Sequence, residues 1–273
     1  MTVRTFAPAK INLTLHVTGQ RDDGYHLLDS LVVFADIGDH LEFAAGPGMS
    51  IDVTGEHAEG VPADDRNLIW QAAQAVGWTG SVRLNKVLPH GAGIGGGSSD
   101  AAATLRVLSE QGVDIPDELP LLLGADVPVC VAAKAARMQG IGERITPVRV
   151  PSLPAVLINP GVPVPTGSVF AALASRANPA MPVDMPEFET PQDCAMWLGD
   201  LRNDLETPAI GVAPEIARVL DALGATTNAL LARMSGSGSS CFALYPTMKA
   251  AHFAAYEIGA AHPHWWCRAV ALN

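Results

Sequence analysis

The sequence predicts a mixed fold of strands and helices in two domains, and three observations predict it. Apolar residues alternate with polar ones in some segments and recur at helical spacing in others. Two glycine-rich loops, Gly91–Gly97 and Ser235–Ser240, interrupt these segments. Prolines gather at Pro147, Pro151 and Pro154, a seam that divides the chain into 1–150 and 151–273. A length of 273 residues agrees with two domains at roughly 150 residues each.

Residues 11–18 alternate strictly, so Ile11, Leu13, Leu15 and Val17 are expected on the core face of one strand. Lys10, Asn12, Thr14 and His16 then share the other face. Asp22-Asp23-Gly24 is a turn, and Leu31–Phe34 a second strand. A helix is expected over Asn67–Val76 and a short strand over Val82–Val87. Ala101, Leu105 and Leu108 mark the helix that leaves the first glycine loop, which Gly112 stops. Asp117–Leu123 predicts a helix, and the alternating Val127, Val129 and Val131 predict a strand. A hairpin turns at Gly140–Gly142.

Beyond the seam the pattern gives a strand at Ala155–Ile158, helices near Val169 and Glu215, and a loose connection over 171–186. The chain closes with a strand at Phe242–Tyr245, a helix at Met248–Ile258 and a strand at Arg268–Leu272. His262-Pro-His264 with Trp265-Trp266 is expected to be a surface turn followed by a core strand.

Composition narrows the function. Hydrophobic residues make up 48% and charged residues 16%, which excludes a disordered chain. Seventeen Lys and Arg against 28 Asp and Glu give a formal charge of −11, which repels a polyphosphate backbone and argues against a nucleic-acid partner. The four cysteines form no CxxC pair, so buried thiols in a reducing cytoplasm are expected rather than zinc. The first residues hold no apolar leader-like run, and Leu119–Ala133, with Asp126 in its middle, is too short to span a bilayer. The expectation is a cytoplasmic protein without a membrane partner, monomeric or weakly dimeric.

The first glycine loop, Pro89-His90-Gly91-Ala92-Gly93-Ile94-Gly95-Gly96-Gly97-Ser98-Ser99, carries the chemistry. Each glycine weakens regular structure by up to ~1 kcal/mol, so five of them serve backbone conformation and close approach. Their N–H groups can converge at a helix start that adds about half a positive charge, a cradle suited to phosphate. Gly91–Gly96 also fits the dinucleotide pattern GxGxxG, but a hairpin-like β region precedes it. No Lys follows the glycines, so the loop is not a P-loop.

Pro8-Ala9-Lys10-Ile11-Asn12-Leu13, Pro89–Ser99 and Ser235–Ser240 together resemble, in order, the three motifs of the GHMP kinases. Gly24-Tyr25-His26, Asp65-Arg66-Asn67-Leu68-Ile69, Leu123-Gly124-Ala125-Asp126-Val127-Pro128 and Pro165-Thr166 resemble one branch of that family. That branch acts on a cytidine diphosphate conjugate of methylerythritol in the non-mevalonate route to isoprenoid precursors. The resemblance spans nearly the whole chain. It implies an α+β fold, with a ribosomal-S5-domain-2-like N-terminal domain, a ferredoxin-like C-terminal domain and a site in the cleft between them.

It also implies ATP with Mg²⁺ as co-substrate and a phosphorylated hydroxyl at the 2-position of the small-molecule acceptor. Asp126 is then the catalytic base and Lys10 its cationic partner, while Asn12 hydrogen-bonds the substrate or holds that pair. Asn67 and Lys86 match positions near the adenine nucleotide. Tyr25 stacks on cytosine, His26 bonds its edge, Phe170 is a second aromatic and Thr166 a nearby polar contact. Gly236, Ser237 and Gly238 close on the phosphates from the second domain. No residue is assigned as a direct metal ligand; Ser99 and Asp126 are water-mediated contacts. Asp100 stands where members of the family can carry Asn after the paired serines. A nicotinamide-dependent oxidoreductase and an RNA-binding module are the rival classes.

Overall fold

The computed structural model describes residues 2–273. In chain order it begins β1 (Thr2–Asn12), β2 (His16–Gln20), β3 (His26–Ala45), β4 (Met49–Thr54), α1 (Leu68–Ala75), β5 (Gly80–Asn85) and α2 (Gly96–Glu110). Then come α3 (Leu119–Leu123), α4 (Val127–Ala132), β6 (Ala136–Gly140), β7 (Arg144–Pro147), β8 (Leu153–Asn159) and α5 (Thr166–Ala171). The rest is α6 (Pro191–Gly199), α7 (Glu206–Val212), α8 (Glu215–Gly224), β9 (Leu231–Met234), β10 (Cys241–Leu244), α9 (Met248–Ala261) and β11 (Trp266–Leu272).

The chain forms two compact units. One takes the segment ending at Lys10, Ile37–His90 and Gly95–Ala133; the other takes Ile11–Asp36, Gly91–Ile94 and Lys134–Asn273. This grouping differs from a division at the proline seam because β3 is long. Its first half pairs with β2 and β6, at Leu28–Val32 for β6, and its second half with β5, at His40–Ala45.

In the first unit β5 runs antiparallel to β3 and parallel to β4. Val82 and Leu84 point inward from β5 while Ser81 and Arg83 are exposed, the period of two that a half-buried strand requires. They pack with Leu41, Phe43, Ile69, Ala103 and Val107 into one core. Burying each of the larger of these side chains stabilises the fold by about 1.5–3 kcal/mol.

In the second unit β8 is buried at every position and pairs antiparallel with β11 on one side and β10 on the other, with β9 beyond β10. Val156 and Ile158 share a core with Ile216, Val219 and Leu223 of α8 and with Ala251, Ala254 and Ile258 of α9. Thr247 caps α9 by accepting from the Ala250 amide, satisfying one of the helix's free N–H groups.

Several expectations need correction. The strand over 11–18 is broken: β1 ends at Asn12, β2 starts at His16, and Leu15 donates instead to the Arg202 carbonyl. Nor is its polar face open, for Lys10, Asn12, Thr14 and His16 are all buried, Thr14 against Met181 and His16 against the Pro179 carbonyl. Strand Leu31–Phe34 is only the middle of β3. The valines at 127, 129 and 131 lie on helix α4, not on a strand. Pro128 fits the first turn of a helix, where its missing N–H costs nothing, and Arg106 donates to the Cys130 and Val131 carbonyls at the other end. The stretch 171–186 is irregular, yet Arg137 ties it down by donating to the carbonyls of Met181, Pro182 and Val183. Cys130, Cys194 and Cys241 are buried free thiols and Cys267 a partly buried one.

Candidate active site

In the first unit the glycine loop delivers the chain to α2 through Gly95, which has φ +66°. A Cβ there would lie 2.9 Å from the Lys10 Cβ, so the absence of a side chain lets the lysine stem pass beside the helix start. The Lys10 Nζ then meets Asp126 Oδ1 at 2.6 Å, with the lysine buried and the Asp126 side chain 35% exposed. Asp126 stands just before α4 but caps no amide with its side chain, so its carboxylate faces the lysine and an open side. The amides of Gly96, Gly97 and Ser98, in the first turn of a 15-residue helix, have no intrahelical acceptor. Beside them Ser99 donates to the Pro8 carbonyl at 2.7 Å and ties α2 to β1.

Deeper in the same unit sits a buried ion cluster. Lys86 Nζ donates to Asp39 Oδ2 at 2.5 Å and to Asp100 Oδ2 at 3.0 Å, and Asp39 Oδ1 accepts from the amides of Val87 and Leu88. Burial works against the Lys86 ammonium, but Asp100 and Asp39 outweigh it and hold its pKa above the ordinary lysine value. Burial, with Asp39 beside it, pushes Asp100 up to about 7 against the pull of Lys86.

In the second unit the two glycine loops interlock. Ser235 donates to the Gly93 carbonyl at 3.1 Å and accepts from the Asn12 amide at 3.0 Å, while the Ser240 amide donates to the Ala92 carbonyl. A Cβ on Gly93, which has φ +73°, would stand 2.6 Å from the Gly238 carbonyl oxygen and 2.8 Å from that of Ser235. Asn203 fixes the loop from below by donating to the carbonyls of Met234 and Gly236. Asn12 donates to Ser30 at 2.7 Å, and its buried Oδ1 has no partner.

The same unit holds the aromatic group. His26 stacks on Phe170 with ring centroids 4.5 Å apart, and its buried Nε2 has no partner. Burial, then Arg176, lowers the His26 pKa below the ordinary histidine value. Tyr25 is 59% exposed, a ring free to be covered. Thr166 at the start of α5 meets Ser237 at 2.9 Å.

Not every expected residue presents a free group. Asn67 is consumed as the cap of α1, accepting from Ile69 and donating to Pro62. Lys86 is sealed in the ion cluster, and Ser99 is fully buried. Pro89, Ala92 and Ile94 are buried, whereas His90, Gly91 and Gly97 are exposed. Sequence reasoning missed Asp39 and Asn203, and named Ser235 only as the start of the second glycine loop. The signal for Asp39 was its parity: it alternates in step with Ile37, Leu41 and Phe43, a core-face position where an unpaired charge is costly. Among the described residues no group of three or more His, Cys, Asp or Glu is arranged to hold a metal, and no helix is long and apolar enough to cross a membrane.

The fold and the two glycine loops agree with comparisons to known proteins. The model for the GHMP kinases N terminal domain matches residues 67–136, and that for the GHMP kinases C terminal region matches residues 186–264. These define the class: a two-domain α+β GHMP kinase. A protein of Dinoroseobacter shibae named 4-diphosphocytidyl-2-C-methyl-D-erythritol kinase is 55% identical over 98% of this chain and 94% of its own. Its namesake in Cereibacter sphaeroides is 54% identical over 96% of both chains. A crystal structure of 4-(cytidine 5'-diphospho)-2C-methyl-D-erythritol kinase superposes with a TM-score of 0.80 at 34% identity, covering 99% of each chain. The chain belongs to the 4-diphosphocytidyl-2-C-methyl-D-erythritol kinase family of the GHMP kinases.

Proposed function

We propose that this protein transfers the γ-phosphoryl group of ATP to the 2-hydroxyl of 4-diphosphocytidyl-2-C-methyl-D-erythritol, giving the 2-phosphate and ADP. The observation that carries the reading is the Lys10–Asp126 pair, 2.6 Å apart, with the lysine stem against the start of the glycine-loop helix. Phosphoryl transfer needs positioning and charge stabilisation more than covalent help. The free amides at the start of α2 and its dipole suit the phosphates. Asp126 accepts the proton of the attacking hydroxyl, and Lys10 stabilises the oxygen as negative charge develops. Asn12, with its unpartnered Oδ1, orients the acceptor.

For the pyrimidine, Tyr25 supplies a stacking face, and His26, steadied by Phe170, offers Nε2 to the base edge. Thr166 lies nearby in α5. Gly236, Ser237 and Gly238 act on the phosphates through the loop they brace. Asn67 and Lys86 bear on the adenine side through backbone and loop shape, since their side chains are committed elsewhere.

Mg²⁺ accompanies ATP. It usually keeps several waters and takes one or two carboxylates alongside substrate phosphates; the partly exposed Asp126 fits that modest donor set, whereas the fully buried Ser99, bonded to the Pro8 carbonyl, does not. When bound, the ion neutralises phosphate charge. The protein works in the cytoplasm as a monomer or weak dimer, with neither nucleic acid nor membrane as partner.

The test is ATP turnover with Mg²⁺ across diphosphocytidyl-methylerythritol, mevalonate, homoserine and galactose. The first should be phosphorylated and the others not. Turnover of another alcohol in preference would overturn the substrate assignment, and thermal protection by NAD(P) instead of ATP would overturn the class of reaction.

A further inference from the structure

We infer that Ser30 is a positioning residue: it fixes the Asn12 side-chain amide so that Oδ1, and not Nδ2, is presented to a hydroxyl of the acceptor substrate. The inference deepens the function proposed above and rests on it.

Ser30 belongs to β3, where its backbone is held opposite Met138 of β6. Its hydroxyl has two partners: it donates to the Thr14 carbonyl at 2.5 Å and accepts from Asn12 Nδ2 at 2.7 Å. Thr14 lies in the break between β1 and β2, so the serine proton satisfies a carbonyl that is outside either strand. A carbonyl can only accept, which commits the one proton of Ser30 to Thr14 and leaves only lone pairs on Oγ. Of the two ends of the Asn12 amide, only the NH2 end can answer those lone pairs. An amide turned over would set oxygen against oxygen and leave the Nδ2 protons unpaired.

The surroundings are fixed in the same directional way. Thr14 Oγ1 accepts from the Leu31 amide at 3.1 Å and donates to Met181 Sδ at 2.9 Å. The Leu13 amide donates to the Leu31 carbonyl, and Arg233 donates to the Leu13 carbonyl at 2.9 Å. The Asn12 amide itself donates to Ser235 Oγ. All of these residues belong to the second unit, and Asn12, Thr14 and Ser30 are buried, so the network polarises in one sense with little solvent to offer other partners.

Asn12 Oδ1 is what the network leaves over: a buried acceptor without a hydrogen-bond partner. A Cβ on Gly236, which has φ +57°, would stand 3.4 Å from it, so a glycine of the second loop keeps the space beside it clear. An unpaired buried oxygen is costly, and an O–H donor from a ligand removes that cost. A polyol carries more than one hydroxyl, and Oδ1 takes one that is not giving up its proton. A carbonyl or ether at that place has no proton to donate, so the fixed amide selects for alcohols.

The experiment is a double-mutant cycle of Ser30→Ala and Asn12→Ala, read by steady-state kinetics and thermal unfolding. In S30A, kcat/KM for diphosphocytidyl-methylerythritol should fall about tenfold while KM for ATP stays within about twofold. In the N12A background, adding S30A should change kcat/KM by less than about twofold, although it lowers the melting temperature in both backgrounds. A second measurement needs no variant: by NMR of the wild type, one Nδ2 proton of Asn12 should exchange slowly with solvent. Full kcat/KM in S30A, an S30A loss that persists in N12A, or rapid exchange of both Nδ2 protons in the wild type would overturn the inference while leaving the kinase assignment standing. Failure of the wild type to phosphorylate the cytidine substrate would overturn the function proposed above, and the exchange measurement would still decide the role of Ser30.

Discussion

The Lys10 ammonium lies 2.6 Å from the Asp126 carboxylate, and its stem occupies the space that the missing side chain of Gly95 leaves free. The proposed base, its cation and the helix start proposed to bind phosphate thereby lie within a single compact unit. Asp126→Asn keeps the shape and removes the proton acceptor. Its kcat should fall by about 10³, within the range that general-base removal gives, while the ATP dissociation constant stays within about threefold. Near-normal turnover would take Asp126 out of the proton transfer.

The interlocked loops predict an asymmetry between two glycines that both have positive φ. Gly93→Ala meets the carbonyls of Gly238 and Ser235, whereas Gly91→Ala, at φ +64°, meets nothing within 4 Å. G91A should lose about 1 kcal/mol from backbone strain alone, and G93A about 3 kcal/mol with a raised KM for ATP. Urea denaturation of both variants checks the difference; equal losses would mean that the second loop yields freely.

Asp29 and Arg137 form a two-pronged pair at 2.7 and 2.8 Å, and Asp29 also accepts from the Met181 amide. Asp29, through the hydrogen bond it accepts, raises the Arg137 pKa above its ordinary value. Asp29→Asn leaves a largely buried guanidinium without its counter-charge and should destabilise the protein by about 3 kcal/mol. It should also make the 171–186 stretch sensitive to protease at concentrations that spare the wild type. Proteolysis confined to other loops would contradict this.

A depressed His26 pKa means that the imidazole stays neutral through neutral pH and gains its proton only under more acidic conditions than a free histidine. A raised KM for the cytidine substrate should therefore appear as pH falls through that pKa, and not as pH rises. Phe170→Ala removes the stacked ring and much of the burial, so the His26 titration seen by NMR should move back up toward the ordinary value. An unmoved midpoint would show that the ring does not shelter the histidine.

Much of this was legible in the residues. The glycine loop, the helix after it, the second loop between two strands and the hairpin at Gly140 all announce themselves because Gly and Pro constrain the backbone locally. Local pattern failed where distant chain overrode it. Thr14 and His16 alternate like solvent-facing residues but are covered by Met181 and Pro179, more than 160 positions away. The valines of α4 mimic a strand because a six-residue helix is too short to display its period; Pro128 was the clue. Helix α6 carries a reciprocal cap between Thr190 and Asp193 with Pro191 in its first turn, a signal present in the sequence and overlooked. Lys86 and Asp100 were visible as charged residues flanking the loop, but Asp39, which joins them, comes from a strand some 47 positions earlier.

The mutual fit of Gly93 with Ser235 and Gly238 bears on how such chains can be recombined. Crossovers that take Ala92–Gly93 from one parent and Ser235–Ser240 from another put together halves that never co-evolved against each other. Libraries of hybrid enzymes should therefore inherit the two segments as a linked block, though well over a hundred positions of primary structure separate them.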